Sequence, residues 1–219
     1  MDNGDNRIVL FGAGGHARSV ISALHAAGRW RIAGVLEDAG GDAVQTVLGH
    51  QVLGDRSRLA ELRQAGIDKG FVAIGDNRAR GRIADVLLEA GFSLISVIHP
   101  TAVCMLDASI AAGSFVHALA VVGPECEIGR NAIVQPFASV GHESRIGACV
   151  QFSPGVHVGG RARIGDYSFL GPGAVIYPGI TLGSNVLVGA NSVVNKDVAD
   201  DTVVVGNPAR FVRRNDPAA

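Results

Sequence analysis

A chain of 219 residues with 19 Lys and Arg against 20 Asp and Glu carries a formal charge of −1, and with no Lys/Arg stripe this argues against nucleic acid as a partner. Thirty glycines, eight prolines and 5% aromatics within a 47% hydrophobic composition exclude a disordered chain and favour a fold of many tight corners. Cys104, Cys126 and Cys149 are an odd number without CxxC spacing, which argues against a disulfide framework or a zinc site. With no apolar run fit to span a bilayer and a polar Met1–Asn6, a soluble cytoplasmic protein is expected.

Arg7–Phe11 reads as a buried strand, followed at once by Gly12-Ala13-Gly14-Gly15-His16-Ala17. A helix then presents Val20, Ile21, Leu24 and Ala27 on one face and stops at Gly28. Ile32–Leu36 is a second strand ending in Glu37-Asp38. After a Gly-rich loop, Gln51–Gly54 is a short extended piece, and Asp55 caps a helix to about Ala65 that turns Leu59 and Leu62 inward. Gly70–Gly75 is a third buried strand, Asn77–Ala90 a helix and Phe92–Ile98 a closing strand, with His99-Pro100 as the break. Strands alternating with helices predict a small parallel sheet covered on both faces, with ligands beyond the strands' carboxyl ends. Three segments lie there: Gly12–His16, Glu37-Asp38 and Gly75-Asp76-Asn77-Arg78.

Beyond the break, an aliphatic or aromatic residue falls on every sixth position from Ile110 to Val194, fifteen in unbroken register. Four places after each stands a small or β-branched residue, from Ser114 to Val198, and nine of the fifteen residues just after the aliphatic one are Gly. A period of six suits short flat strands joined by corners where Gly lets the backbone bend, with three hexads to a coil, so that residues eighteen apart stack. Fifteen hexads give five coils of a parallel β-solenoid. Val203–Arg210 forms a final extended piece with a turn, and the tail Asn215–Ala219 is expected to fray.

Several constellations could carry chemistry. Gly12-x-Gly14-x-x-Ala17 matches the relaxed dinucleotide fingerprint, with Glu37 or Asp38 about twenty residues on. The unit is short for a full dinucleotide fold. The preferred reading is that the same amides and helix N-terminus hold a nucleotide-linked ligand whose hydroxyls reach Glu37 or Asp38. His142 stands at a corner, two places after Val140, so its side chain projects outward. By the eighteen-residue spacing Gly160 lies at the next coil's equivalent corner, leaving room there. A histidine near neutral pH can take a proton from an attacking amine, and a carboxylate such as Glu143 can fix its tautomer. His117, His142 and His157 are separated by 25 and 15 residues, neither a multiple of eighteen, so no metal site is expected.

Gly-Ala-Gly-Gly-His at residues 12–16, the Ile-Gly-x-Asn-x step and Ile98-His99-Pro100-Thr101-Ala102 before the hexads complete a pattern over about Arg7 to Arg210. It resembles the hexapeptide-repeat sugar acetyltransferases, in the sialic-acid O-acetyltransferase-like branch that includes N-acetyltransferases of nucleotide-linked 4-amino-4,6-dideoxy sugars. The resemblance implies a Rossmann-like half over residues 1–98 and a left-handed β-helix over 99–219. It implies a catalytic His142 followed by an acidic Glu143, and acetyl-CoA in a groove between solenoids at Gly160, Gly171-Pro172, Gly189-Ala190 and Asn207-Pro208. It further implies a homotrimer with active sites between subunits, and a nucleotide-linked amino sugar held by Gly14, Gly15, His16, Glu37, Asp38, Gly75, Asn77 and Arg78. One member of the family has a second histidine where this chain has Gln151, which cannot titrate and keeps only a hydrogen-bonding role. The expected reaction is N-acetylation of a UDP- or GDP-linked 4-amino-4,6-dideoxyhexose for glycan or polysaccharide synthesis. O-acetylation of a sugar such as sialic acid, transfer of another acyl group, or a non-catalytic nucleotide-sensing scaffold stay open.

Overall fold

The computed structural model describes residues 6–38 and 45–216. The Gly-rich loop expected after Asp38 and the last residues of the tail lie outside the described residues. Contacts divide the chain into two units, Met1–Pro100 and Thr101–Ala219.

In the first unit the strands are β1 (Arg7–Phe11), β2 (Arg31–Leu36), β3 (Thr46–Val47), β4 (His50–Gly54), β5 (Lys69–Val72) and β6 (Ser93–Leu94). They form one sheet in the order β3-β4-β2-β1-β5-β6, parallel except for the β3–β4 hairpin, which the sequence pattern did not indicate. The helices are α1 (Gly15–Ala27), α2 (Leu59–Gln64) and α3 (Asn77–Glu89). Val9 and Phe11 pack against Leu59, Leu62, Ile83 and Leu87 of α2 and α3. Ile8 and Leu10, on the opposite face by strand alternation, are fully buried too, so both faces are covered. Gly28 ends α1 as expected, in the left-handed region at φ 65°, its amide donating to the Leu24 carbonyl. Asp55 does cap, accepting from the Ser57 amide, but it opens a 3₁₀ turn at Arg56–Arg58 before α2 begins. The expected closing strand is broken, because Ser93–Leu94 alone joins β5.

α1 and β4 are fastened by a histidine pair. His25 Nε2 and His50 Nε2 lie 3.0 Å apart with ring centroids 5.2 Å apart, so the two nitrogens meet nearly head-on. Such an N–H···N bond needs one bare nitrogen. Burial, and then the neighbouring His25, push the His50 pKa below its ordinary value. The folded value lies under the unfolded one, so the contribution is present above the unfolded pKa and lost as pH falls through the folded value. The midpoint of thermal unfolding should therefore fall more steeply between pH 7 and pH 5 in the parent protein than in His50→Gln, as followed by circular dichroism. Parallel slopes would contradict it.

The second unit is a left-handed parallel β-helix of two-residue strands. Each strand pairs with the one eighteen residues on, as in Phe115–Val116 with Ile133–Val134 and Val121–Val122 with Ser139–Val140. The sixfold residues Val116 to Val194 and the small residues four places on, such as Ala120, Ala132 and Ala162, fill one continuous core. Inward serines are satisfied between coils: the Ser114 hydroxyl donates to the Gly129 carbonyl and accepts from the Ala132 amide, and Ser144 and Ser168 repeat the pattern.

Four details differ from the expectation set by the sequence. The solenoid pairing already includes Val103–Cys104, an earlier hexad hidden because Cys104 stands where an aliphatic residue was sought. The spacing shortens at the far end, where Leu182 meets Val198 and Leu187 meets Val203, sixteen residues on. Most informative are the corners. The left-handed backbone falls three places after the aliphatic residue and is carried mostly by other residues than Gly, including Leu119, Phe137, Glu143, Arg161 and Tyr167 at φ 58–61°. The glycines just after the aliphatic residue answer a different need, since a Cβ on Gly129 or Gly165 would lie 2.5 Å from backbone atoms of the next coil. The tail is also less free than expected, because Asn215 exchanges hydrogen bonds with Asn185 and its amide donates to the Asp201 carbonyl.

Candidate active site

The three segments at the carboxyl ends of β1, β2 and β5 converge on one cleft of about 810 Å³ in the first unit. Gly12, Gly14, Gly15, His16, Glu37, Asp38 and Gly75 line it. Gly12 has φ 115°, and a Cβ there would meet the Ala73 carbonyl oxygen at 2.8 Å. Gly14 and Gly15 have open space where a side chain would stand. Gly14 caps α1 with no side-chain hydrogen bond, and no acidic residue occupies the first turn, so the helix N-terminus presents its amides and positive dipole end to the cleft.

Both expected carboxylates line the cleft and both have protein partners. Glu37 Oε2 accepts from the Ala13 amide at 2.7 Å, which shapes the glycine turn. Asp38 accepts from the Arg56 backbone amide at 3.1 Å and from Arg56 Nε at 2.8 Å, and Arg56 Nη2 pairs with it too. That pairing with Asp38 raises the Arg56 pKa above its already high value. Arg56 and the exposed Arg82 line the cleft and were not singled out from the sequence. Asn77 and Arg78 are not among the lining residues. Asn77 instead accepts from Arg80 Nη2 at 2.7 Å, while Arg80 Nη1 donates to the Ile74 and Gly75 carbonyls at 3.1 and 2.8 Å. Arg80 is fully buried, and its guanidinium holds the loop that carries Gly75.

In the second unit His142 and Glu143 stand together on the corner that follows Ser139–Val140. Neighbouring side chains on an ordinary strand diverge. Here the left-handed backbone of Glu143, φ 58°, turns the pair to one side, and His142 Nδ1 lies 2.7 Å from Glu143 Oε2. The carboxylate therefore fixes the tautomer with the proton on Nδ1 and leaves Nε2 bare. A Cβ on Gly160 would stand 2.7 Å from His142 Cδ2 and Cε1 and closer still to Nε2. The imidazole thus lies over a position without a side chain, as the eighteen-residue stacking implied. Half of each side chain is exposed, 50% for His142 and 47% for Glu143, so the pair stands at the surface of the solenoid. Arg161, one residue beyond Gly160, donates its backbone amide to the His142 carbonyl at 2.7 Å and brings Nη1 within 3.9 Å of Glu143 Oε2. The same spacing pairs Glu143 with Arg161, a signal present in the sequence.

The residues expected to hold acetyl-CoA divide between two edges of the prism. Gly160 belongs to the His142 edge. Gly171-Pro172, Gly189-Ala190 and Asn207-Pro208 follow one another on successive coils of the adjacent edge. There a Cβ on Gly171 would lie 2.7 Å from the Ala190 amide, and one on Gly189 would lie 2.8 Å from Val205 Cγ2. Gln151 faces outward on a different wall, in the strand Gln151–Phe152, and is half-buried. His157 is exposed and lies 2.9 Å from the Ser139 hydroxyl through Nδ1, whereas His117 is half-buried beside Phe115 and accepts from the Ala118 amide.

The PglD N-terminal domain profile matches residues 7–87, and the bacterial transferase hexapeptide profile matches 107–142, 143–177 and 161–196. The perosamine N-acetyltransferase of Caulobacter crescentus, solved as a histidine-to-asparagine variant with CoA and GDP-perosamine, is 36% identical. That match has a TM-score of 0.90 and covers 97% of this chain and 98% of that one. The acetyltransferase domain of PglB from Neisseria gonorrhoeae, solved with acetyl coenzyme A, is 36% identical with a TM-score of 0.87, covering 95% and 100%. The galactoside O-acetyltransferase of Escherichia coli is 46% identical over 39 residues, 18% of this chain and 19% of that protein. The chain spans about a fifth of the length of the curated relatives it matches.

Proposed function

The chain belongs to the hexapeptide-repeat acetyltransferases with a PglD-type N-terminal domain, and on that footing we propose that it N-acetylates the 4-amino group of a nucleotide-linked 4-amino-4,6-dideoxyhexose. The observation that carries the reading is the His142–Glu143 pair, with the Nδ1 proton fixed by the carboxylate and Nε2 bare beside Gly160. Acetyl-CoA supplies the activated acetyl group. His142 Nε2 accepts the proton that the amine sheds on becoming an amide, and Glu143 stabilises the imidazolium so formed. The edge that carries Gly171-Pro172, Gly189-Ala190 and Asn207-Pro208 on its coils is the one along which the pantetheine arm of acetyl-CoA would run. In the first unit, the amides of Gly14, Gly15 and His16 suit a diphosphate and the carboxylates of Glu37 and Asp38 suit hydroxyls. The complexes of the Caulobacter protein with GDP-perosamine favour a nucleotide sugar over a nicotinamide cofactor as the ligand of this cleft.

A homotrimer with active sites between subunits completes the proposal. Leu119 and Phe137 stack on one edge of the solenoid with 52% and 61% of their surfaces exposed, apolar area that a closed assembly would cover. No helix among the described residues is long and apolar enough to cross a membrane. The test offers UDP- and GDP-linked 4-amino sugars, and sialic acid as a hydroxyl acceptor, with acetyl-CoA while thiol release is followed. Release with one amino sugar and not with sialic acid is expected. Release with sialic acid alone, or with no acceptor, overturns the assignment.

A further inference from the structure

The corner column that holds Glu143 runs, at eighteen-residue steps, through Asp107, Glu125, Glu143 and Arg161, all four with left-handed backbone. Three carboxylates in line are thus met by one guanidinium, on the coil after His142. Glu143 Oε2 sits between the neutral ring's Nδ1–H of His142, with Nδ1 at 2.7 Å, and the cationic Arg161, with Nη1 at 3.9 Å. The nearer contact holds the carboxylate on the imidazole, and the farther one offsets its charge. A carboxylate with no counter-charge, with Glu125 on the coil before it, would favour a protonated imidazole, which cannot act as a base.

We propose that Arg161 is a positioning residue for the reaction, acting through Glu143 as the counter-charge that keeps His142 unprotonated and ready to accept a proton near neutral pH. The inference rests on His142 being the base. Glu125 adds a carboxylate on the coil before, and Arg145 and Cys126 beside the pair are engaged elsewhere. Arg145, on the strand after Glu143, lies 3.2 Å from Glu127 through Nε and donates through Nη1 to the Glu125 carbonyl. Cys126, on the coil before, is buried with Sγ 2.9 Å from the Gly141 carbonyl oxygen, and burial pushes its thiol pKa up, so it stays neutral. Arg161 is the cation placed against the Glu143 carboxylate itself. Because it is exposed, its effect is that of a charge screened by solvent and salt.

The test is a titration of His142 in the full-length protein by ring-carbon NMR, its resonance assigned by its loss in His142→Asn. In Arg161→Gln the His142 titration curve should move to higher pH than in the parent, and the acidic limb of kcat/KM should move with it. Arg161→Lys should restore both, since a charge is what is required. An unchanged or lowered His142 pKa in Arg161→Gln overturns the proposal, as does a KM increase shared by Gln and Lys with no change in pH profile, which would make Arg161 a substrate contact. The NMR reading does not need turnover. A failed acetylation assay would therefore count against the function proposed above and leave this inference to be judged by the titration.

Discussion

His142→Ala should lower turnover by about 10²–10⁴-fold while leaving the affinities for acetyl-CoA and the nucleotide sugar nearly unchanged. The expectation follows from where the side chain stands: its carbonyl, not its ring, holds the next coil through the Arg161 amide, so removing the ring leaves the corner intact. Positioning of amine and thioester survives the substitution and supplies the residual rate. Glu143→Gln should cost less, because it removes the charge facing Nδ1 and leaves the ring in place. The discriminating variant is His142→Asn, measured by single-turnover kinetics alongside calorimetric affinities. A loss below about tenfold there, with affinities unchanged, would mean that the imidazole only hydrogen-bonds the amine, and the base role would fail.

Gly160→Ala should be nearly as damaging although no reacting group is removed. The added methyl would stand 2.7 Å from two carbons of the imidazole, a distance that real Cβ atoms do not show. The ring is the movable partner, so it should swing off Glu143 and carry Nε2 away from the acceptor. Turnover should fall by about 10²-fold or more, with the unfolding midpoint lowered by only a few degrees. Gly141→Ala is the contrast, because its Cβ would lie 2.5 Å from the Gly160 backbone nitrogen, which cannot rotate away. That variant should lose stability first, by about 1–3 kcal/mol as overpacking does. A Gly160→Ala enzyme within about threefold of the parent would show that the space beside Nε2 is not used.

The solenoid was legible because its period is local. One rule of six names the core from Val116 to Val194, and one rule of eighteen puts Gly160 against His142. Arg161 obeys the same rule and escaped attention because a surface arginine draws none until its stacked neighbour is a carboxylate. The joining of His142 to Glu143 needed the backbone angle of Glu143, which a glutamate does not advertise. In the first unit the glycine turn and Glu37 could be read because they follow strands directly. Arg56, Arg80 and Arg82 could not, since β4 lies beside β2 and α3 closes on the cleft only through tertiary packing. The glycines were recognised and given the wrong reason. They answer the closeness of the next coil, and the left-handed angle falls two residues later on residues chosen for other ends.

The constant eighteen-residue step makes the prism work like a screw thread. Any whole turn added or removed past Gly179 would advance the far end along the axis without rotating it, so the edge carrying Gly171 and Gly189 would simply grow longer or shorter. Six residues added between Arg161 and Gly171 would instead index every later wall by a third of a revolution, and that edge would come round to a different side of the molecule from His142. The change to a sixteen-residue step at Leu182–Val198 and Leu187–Val203 trims two residues from the path between stacked strands, and Leu187–Val188 still meets Val203–Val204 in parallel register. Length is adjustable in this architecture only in units of one pitch, and everything that reads the site from outside depends on that phase.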